Sequence, residues 1–171
     1  DRARGRGQRV SVTPVKQAAE RLGLGPILQP ASVKHPAFAD AVASLAPDVI
    51  VVVAFKILPP AVFDAAPYAF NLHGSLLPRY RGAAPINRAV MDGAEETGVT
   101  TFFLKAQVDT GDLILQKRMP IGPKETAGEV HDRMMILGAE AVVETVRQIE
   151  HETFTTTPQD DAAATPAPKL Y

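Results

Sequence analysis

A continuous apolar run, mostly of β-branched residues, extends from Val49 to Phe55 and restricts the possible folds more than any other segment. Branching at Cβ favours extended backbone, and a strand without polar alternation is typical of a parallel sheet covered on both faces. A second strand is predicted at Ala69–Leu72, with a helical turn at Pro59-Pro60 between them. Strands that alternate with helices predict an α/β protein with a mostly parallel sheet and flanking helices.

Capping and turn residues set the bounds of the remaining elements, since Thr13-Pro14 and Thr126–Glu129 are typical helix starts. The Thr-, Pro- and Ala-rich end of the sequence predicts a linker. We therefore expect one domain over 1–152 and a linker over 153–171. The other predicted elements are a flexible basic loop over 1–9, a helix from Thr13-Pro14 to Gly23, a strand at Ile27–Leu28, a helix from Pro36 that carries Phe38, Val42 and Leu45 on one face, a loop over 74–84, a helix from Pro85 to Val90, strands at Val99–Leu104 and Leu113–Arg118, and a helix from Thr126 to Glu150.

Composition excludes several classes of function. The chain has 171 residues and a formal net charge of -1, so no overall field draws it to nucleic acid or to a membrane. It contains no cysteine, which excludes thiol chemistry, disulfides and thiolate metal sites. No apolar run approaches the ~20 residues that a membrane span needs. The sequence opens in a charged, Gly-containing stretch without Met, and we expect it to be a piece of a longer protein.

The segment 70–78, FNLHGSLLP, places an amide and an imidazole two residues apart after an apolar strand. Alternation along a strand puts Asn71 and His73 on one face, at the strand end where parallel sheets bind ligands. An amide can hold a carbonyl oxygen while an imidazole moves a proton, as acyl transfer to an amine requires. Asp109 is the candidate third group. Taken singly, Asn71 is as well explained as a turn amide, His73 as a backbone-satisfied histidine and Asp109 as a turn residue.

The stretch 71–86, NLHGSLLPRYRGAAPI, followed by Glu96–Thr100 and Asp109–Asp112, closely resembles the folate-dependent formyltransferases, and among them the methionyl-tRNA formyltransferases. The resemblance covers essentially the whole chain. It implies a Rossmann-like catalytic domain that transfers a formyl group from 10-formyltetrahydrofolate to methionyl-initiator tRNA for translation initiation. It also implies that Asn71, His73 and Asp109 carry the chemistry without a metal, in a monomeric protein of the bacterial cytoplasm.

The same resemblance implies the binding residues. Folate contacts are expected at Ser75, Leu76, Leu77, Pro78, Phe55, Ile57 and Leu58. Contacts with tRNA are expected at Arg2, Arg4, Arg6, Arg9, Arg79 and Arg81. The alternatives are a plain core position for Ile57 or Leu58, a solvated charge run for the first four arginines, and loop structure for the last two.

Two further points follow from the resemblance. The family carries N-terminal strands and a C-terminal β-barrel that this sequence lacks. Two alternative functions stay open: a formyltransferase that acts on a small amine, such as an amino-sugar nucleotide or glycinamide ribonucleotide, and a non-catalytic module that binds nucleic acid or folate. The intact set of Asn71, His73 and Asp109 disfavours the second alternative.

Overall fold

The computed structural model describes residues 2–4 and 9–171, with side chains described from Val12 onward, in two compact units over 1–32 and 33–171. In the first unit, strands β1 (Arg2–Arg4) and β2 (Arg9–Ser11) form an antiparallel pair. The prediction of a loop over 1–9 is therefore wrong for these residues. Main-chain pairing needs no apolar side chains, so a charged sequence gave no signal for it.

Helix α1 (Pro14–Arg21) follows in the first unit and begins as predicted. Thr13 is its N-cap and accepts a hydrogen bond from the backbone N–H of Lys16 at 3.3 Å, with Pro14 in the first turn. The predicted strand at Ile27–Leu28 is wrong, because these residues lie in irregular backbone. Two apolar residues without a neighbouring strand do not hold an extended segment.

The second unit contains a four-stranded sheet with the order β3-β4-β5-β6. The α/β class with flanking helices is confirmed, but only β3 and β4 run parallel, and the pairs β4–β5 and β5–β6 are antiparallel. The described sheet is thus mixed rather than mostly parallel, since the short connection between β5 and β6 permits only antiparallel pairing. Its elements are α2 (Pro36–Ala43), β3 (Val49–Val53), α3 (Pro60–Phe63), β4 (Tyr68–His73), α4 (Pro85–Met91), β5 (Glu96–Phe103), β6 (Leu113–Pro120) and α5 (Ala127–Glu150).

Helix α5 covers one face of this sheet. It begins with the predicted capping box, in which Thr126 and Glu129 bond to each other's backbone N–H groups. Its buried residues Val130, Met134 and Ala141 pack with Val99 and Met119 of the sheet in one apolar core. On the same face, the hydroxyls of two fully buried threonines, one on β5 and one on α5, lie 2.8 Å apart: Thr101 and Thr145.

Strand β3 is an edge strand of the described sheet. It stops at Val53, two residues before the predicted end, and Val51 and Val53 are 38% and 51% exposed. The prediction that this strand is buried on both faces is therefore wrong in the described structure, because no described layer covers these side chains. No helix in residues 12–171 is long and apolar enough to cross a membrane.

Residues 153–171 lie against the rest of the second unit. Thr157 pairs through its backbone with Leu113, and Thr165 and Ala167 bond to the backbone of Arg81. A short 3-10 helix spans Asp161–Ala163 between them. Ala167 is fully buried. The domain boundary at 152 stays a prediction. Most residues beyond it are exposed, and hydrogen bonds hold the segment at a few positions.

Candidate active site

Strand β4 brings Asn71 and His73 to one face of the sheet, as their spacing predicts. Asn71 pairs in register with Phe102 of β5, and His73 pairs with Thr100. Directly opposed residues of neighbouring strands point to the same side. The amide and the imidazole therefore share the face opposite to helix α5. His73 is the last residue of β4, where the strand passes into the loop over 74–84.

His73 is 6% exposed, and its imidazole lies between two oxygens. Its Nε2 is 2.7 Å from the backbone carbonyl of Tyr80, and its Nδ1 is 3.8 Å from Oδ2 of Asp109. A carbonyl can only accept, so Nε2 must carry the hydrogen. In the neutral ring Nδ1 then holds the lone pair and faces a carboxylate, beyond direct hydrogen-bond length. Nδ1 is thus the nitrogen placed to take up and release a proton.

Both residues that contact this imidazole have left-handed backbone. Tyr80 has φ +61° and Asp109 has φ +56°, a conformation that costs a residue other than glycine roughly 1–2 kcal/mol. The Asp109 carboxylate accepts from the backbone N–H of Gly82 at 2.9 Å. Burial raises the pKa of the Tyr80 hydroxyl, and a hydrogen bond to Asp92 adds to the rise. These strained conformations place a carbonyl and a carboxylate on opposite ring nitrogens of His73.

A buried hydroxyl on β5 holds the loop that follows His73. Thr100 Oγ1 accepts from the backbone N–H of Leu77 at 3.1 Å and from Gln116 Nε2 at 3.0 Å. It donates to the backbone carbonyl of Ser75 at 2.7 Å. Gln116 Nε2 also donates to the carbonyl of Leu77 at 2.8 Å. Thr100 and Gln116 are supporting positions of this loop that our sequence analysis missed, because their partners are mostly backbone atoms with no sequence signature.

The predicted folate residues fall into two groups. Phe55 and Ile57 follow β3 and are 57% and 70% exposed, so Ile57 is not a core position in the described structure. Ser75 and Leu77 are buried. The Ser75 hydroxyl donates to the carbonyl of Arg79 at 2.6 Å, so it supports the loop rather than facing a ligand. The remaining three, Leu58, Leu76 and Pro78, are half-buried.

The predicted tRNA residues differ in whether the structure describes their side chains and in what those side chains contact. Arg6 lies outside the described residues, and so do the side chains of Arg2, Arg4 and Arg9. Arg79 is exposed and lies over the ring of Tyr80, at 5.3 Å from its centroid. The guanidinium of Arg81 is instead bound to Gln159 and to Asp161. This geometry favours the loop-structure alternative for Arg81.

Gln159 is the most informative residue that the sequence analysis missed. Its Nε2 donates to the backbone carbonyls of Asp109 at 3.0 Å and Gly111 at 2.7 Å. Its Oε1 accepts from Arg81 Nη2 at 2.8 Å. The Thr- and Pro-rich composition around it is typical of a linker, which concealed this role. Among the described residues no group of three or more His, Asp or Glu side chains could hold a metal ion.

Comparison with known proteins places this chain in a family. Residues 1–146 match the Formyl transferase family. The chain belongs to this family. It is 57% identical over 159 residues to the methionyl-tRNA formyltransferase of Chlorobium phaeovibrioides, covering 92% of this chain and 50% of that protein. It is 46% identical to the methionyl-tRNA formyltransferase of Porphyromonas gingivalis, covering 100% of this chain and 54% of that protein.

Solved structures support the fold. Glycinamide ribonucleotide transformylase 1 from Symbiobacterium toebii superposes with a TM-score of 0.75 at 23% identity, covering 84% of this chain and 74% of that one. An N-formyltransferase from Helicobacter canadensis, solved with folinic acid and dTDP-3-aminofucose, gives a TM-score of 0.62 at 24% identity, covering 67% of this chain and 42% of that one. The formyltransferase fold is therefore confirmed. The chain spans about half the length of the curated relatives that it matches.

Proposed function

We propose that this chain carries the catalytic centre of an enzyme that transfers a formyl group from 10-formyltetrahydrofolate to the amino group of methionyl-initiator tRNA. The main structural support is the position of the His73 imidazole, which lies between the Tyr80 carbonyl and the Asp109 carboxylate. Two relatives that are 57% and 46% identical are named for this reaction. Such an enzyme acts in translation initiation, and we propose the bacterial cytoplasm as its location and a monomer as its form.

His73 moves the proton in this mechanism. The Tyr80 carbonyl fixes hydrogen on Nε2, so Nδ1 accepts the proton that the attacking amine loses. The ring then carries a positive charge at 3.8 Å from Asp109 Oδ2, and the carboxylate stabilises it. His73 returns the proton from Nδ1 to the departing nitrogen. The Tyr80 carbonyl, rather than Asp109, fixes the tautomer, and the role of the Asp109 carboxylate is to stabilise the imidazolium.

Asn71 holds the oxygen on which charge develops. Its amide shares the face of His73 and lies one strand repeat, roughly 6.5–7 Å, along β4. Donation from a fixed amide N–H to such an oxygen contributes about 2.7–4 kcal/mol in acyl transfer. The amide binds the oxygen while the imidazole handles the proton, so the two side chains divide the task without a metal.

The residues around the site fit a folate donor. Phe55 and Ile57 present exposed apolar side chains after β3, the strand that lies parallel and next to β4. Flat aromatic ligands bind to apolar surfaces with a few placed polar groups, and the backbone of 55–58 and 75–78 supplies such groups. When bound, the donor supplies an activated formyl carbon. Leu58, Leu76 and Pro78 are half-buried and complete the proposed contact surface.

The choice of tRNA over a small amine rests on the named relatives and on the basic segment. Arg2, Arg4, Arg6 and Arg9 are clustered in sequence, and Arg79 is exposed in the loop after His73. Arginine binds phosphates and stacks on unpaired bases. We assign these five residues to tRNA contact and withdraw Arg81, whose guanidinium is bound within the protein.

The test offers the full-length protein 10-formyltetrahydrofolate with either charged initiator tRNA or a panel of amino-sugar nucleotides and glycinamide ribonucleotide. We expect transfer to the tRNA alone, with KM for tRNA rising steeply with salt because binding releases counterions. Transfer to a small amine with a flat salt dependence would support the alternative acceptor and contradict the tRNA assignment.

A further inference from the structure

The segment after helix α5 contacts both residues that hold the imidazole. We name residues 157–167 the strap. The strap residue Thr165 accepts through Oγ1 from the backbone N–H of Tyr80 at 2.8 Å. The strap residue Gln159 donates to the backbone carbonyl of Asp109 at 3.0 Å. Tyr80 and Asp109 are the two left-handed residues on either side of His73. The strap therefore bonds to the backbone of each.

The chemistry of the partners fixes the orientation of the Gln159 amide. A guanidinium only donates, so Oε1 must face Arg81 Nε and Nη2, at 3.1 and 2.8 Å. Carbonyls only accept, so Nε2 must face Asp109 and Gly111. One side chain thus joins the Arg81-Gly82 turn to the Asp109 loop. The N–H of Gly82, next to Arg81, is in turn the donor to the Asp109 carboxylate.

We propose that Gln159 is a positioning residue for the catalytic pair, and that the strap fixes the separation of the Asp109 carboxylate from His73. This rests on the proposed function of His73 and Asp109. A left-handed aspartate relaxes unless its surroundings hold it, since that conformation is intrinsically unfavourable. The two Nε2 bonds of Gln159 supply that constraint on the backbone, and the Gly82 N–H supplies it on the side chain.

Replacing Gln159 with glutamate distinguishes its contact with Arg81 from its contacts with the Asp109 loop. In Gln159→Glu one carboxylate oxygen still pairs with Arg81, and the charge strengthens that contact. The other oxygen faces two carbonyl oxygens and repels them. The variant therefore keeps the strap attached to Arg81 but releases the Asp109 loop. Gln148→Glu, the same change on helix α5, is the matched control.

The experiment measures kcat, donor KM and the His73 ring N–H resonance in the full-length protein with 15N-labelled histidine. For Gln159→Glu we expect kcat to fall about 10- to 100-fold, the effect of misplacing a catalytic group by ~1 Å, with donor KM changed less than about 2-fold. The His73 resonance should shift, and Gln148→Glu should change nothing. In an Asp109→Asn background, Gln159→Glu should cost less than about 2-fold further, because both act through one carboxylate.

Equal losses with and without Asp109, or an unmoved His73 resonance, would overturn the positioning role. Should Gln159→Glu fail to fold, Thr165→Val removes the acceptor for Tyr80 N–H, and Thr165→Ser restores it. We then expect kcat to fall in the first and recover in the second, and no recovery would contradict the proposal. If the wild-type protein shows no formyl transfer to any acceptor, the proposed function is refuted. The His73 resonance needs no acceptor substrate, so it still tests the positioning role of the strap.

Discussion

Thr100 is a buried hub whose removal has a calculable cost. Replacing it with valine keeps the shape but deletes the hydroxyl that bonds to Leu77 N–H, Ser75 C=O and Gln116. Gln116 keeps its hydrogen bond to the Leu77 carbonyl. The two buried backbone groups that lose their hydrogen bond to Thr100 are the Leu77 N–H and the Ser75 carbonyl. Each orphaned group costs about 1–3 kcal/mol, which gives about 2–6 kcal/mol for Thr100→Val.

The neighbouring residue supplies the control. Thr101 is equally buried on the same strand but faces α5, and its hydroxyl bonds only to that of Thr145 among described contacts. In Thr101→Val the Thr145 hydroxyl can turn to a carbonyl of its own helix, so we expect about 1 kcal/mol. Only Thr100→Val should also raise KM for the formyl donor, because it alone frees the loop over 75–78.

The assay is urea unfolding of the full-length variants together with donor KM in the transfer reaction. We expect Thr100→Val to be the less stable variant and the only one with altered donor KM. Equal unfolding free energies of Thr100→Val and Thr101→Val would contradict the stabilising role of the Thr100 hydroxyl. A large loss of stability with unchanged donor KM would refute the placement of the donor beside this loop.

Two further outcomes are expected from local structure. Gly111→Ala should destabilise the protein and abolish transfer, because a Cβ there would lie 1.6 Å from the carbonyl oxygen of Phe103. Gly128→Ala should be neutral, because its Cβ would meet only Thr126 Oγ1 at 3.8 Å, an ordinary contact distance. Unfolding midpoints and turnover of both variants test this. Hydrogen bonds from the backbone and hydroxyl of Thr126 lower the pKa of Glu129, so its contribution to stability is present above the unfolded-state pKa and is lost as pH falls through the folded-state value. The stability gap between wild type and Glu129→Gln should therefore narrow on acidification, and a gap independent of pH would contradict this.

Sequence patterns predicted the features that depend on local chemistry. The N-caps Thr13 and Thr126 and the Pro85 helix start all lie where predicted. The two-residue spacing of Asn71 and His73 was enough to place them on one face, and turn chemistry suggested the loop at Asp109. These signals are contained within a few consecutive residues, so a single sequence carries them.

Features that depend on distant backbone groups could not be predicted. The antiparallel pairing of β4 with β5 and the bonds of Gln159 join segments far apart in the chain, and the Tyr80 carbonyl on His73 is a backbone contact without a side-chain signature. At the C-terminal end, where Thr, Pro and Ala are typical of a linker, composition gave no signal that residues 157–167 bond to the site. The Ile27–Leu28 strand failed because a short apolar pair says nothing about a pairing partner.

Turnover of His73→Ala shows whether this imidazole carries the proton during transfer. The control is His131→Ala, which removes an exposed histidine that also has an aspartate beside it, Asp132 at 3.2 Å. In the full-length protein we expect His73→Ala to lose transfer to methionyl-tRNA by about 100-fold or more while donor binding persists, since general acid–base groups contribute about 10²–10⁴-fold. His131→Ala should match wild type. Wild-type turnover in His73→Ala would show that the imidazole between Tyr80 and Asp109 does not carry the proton.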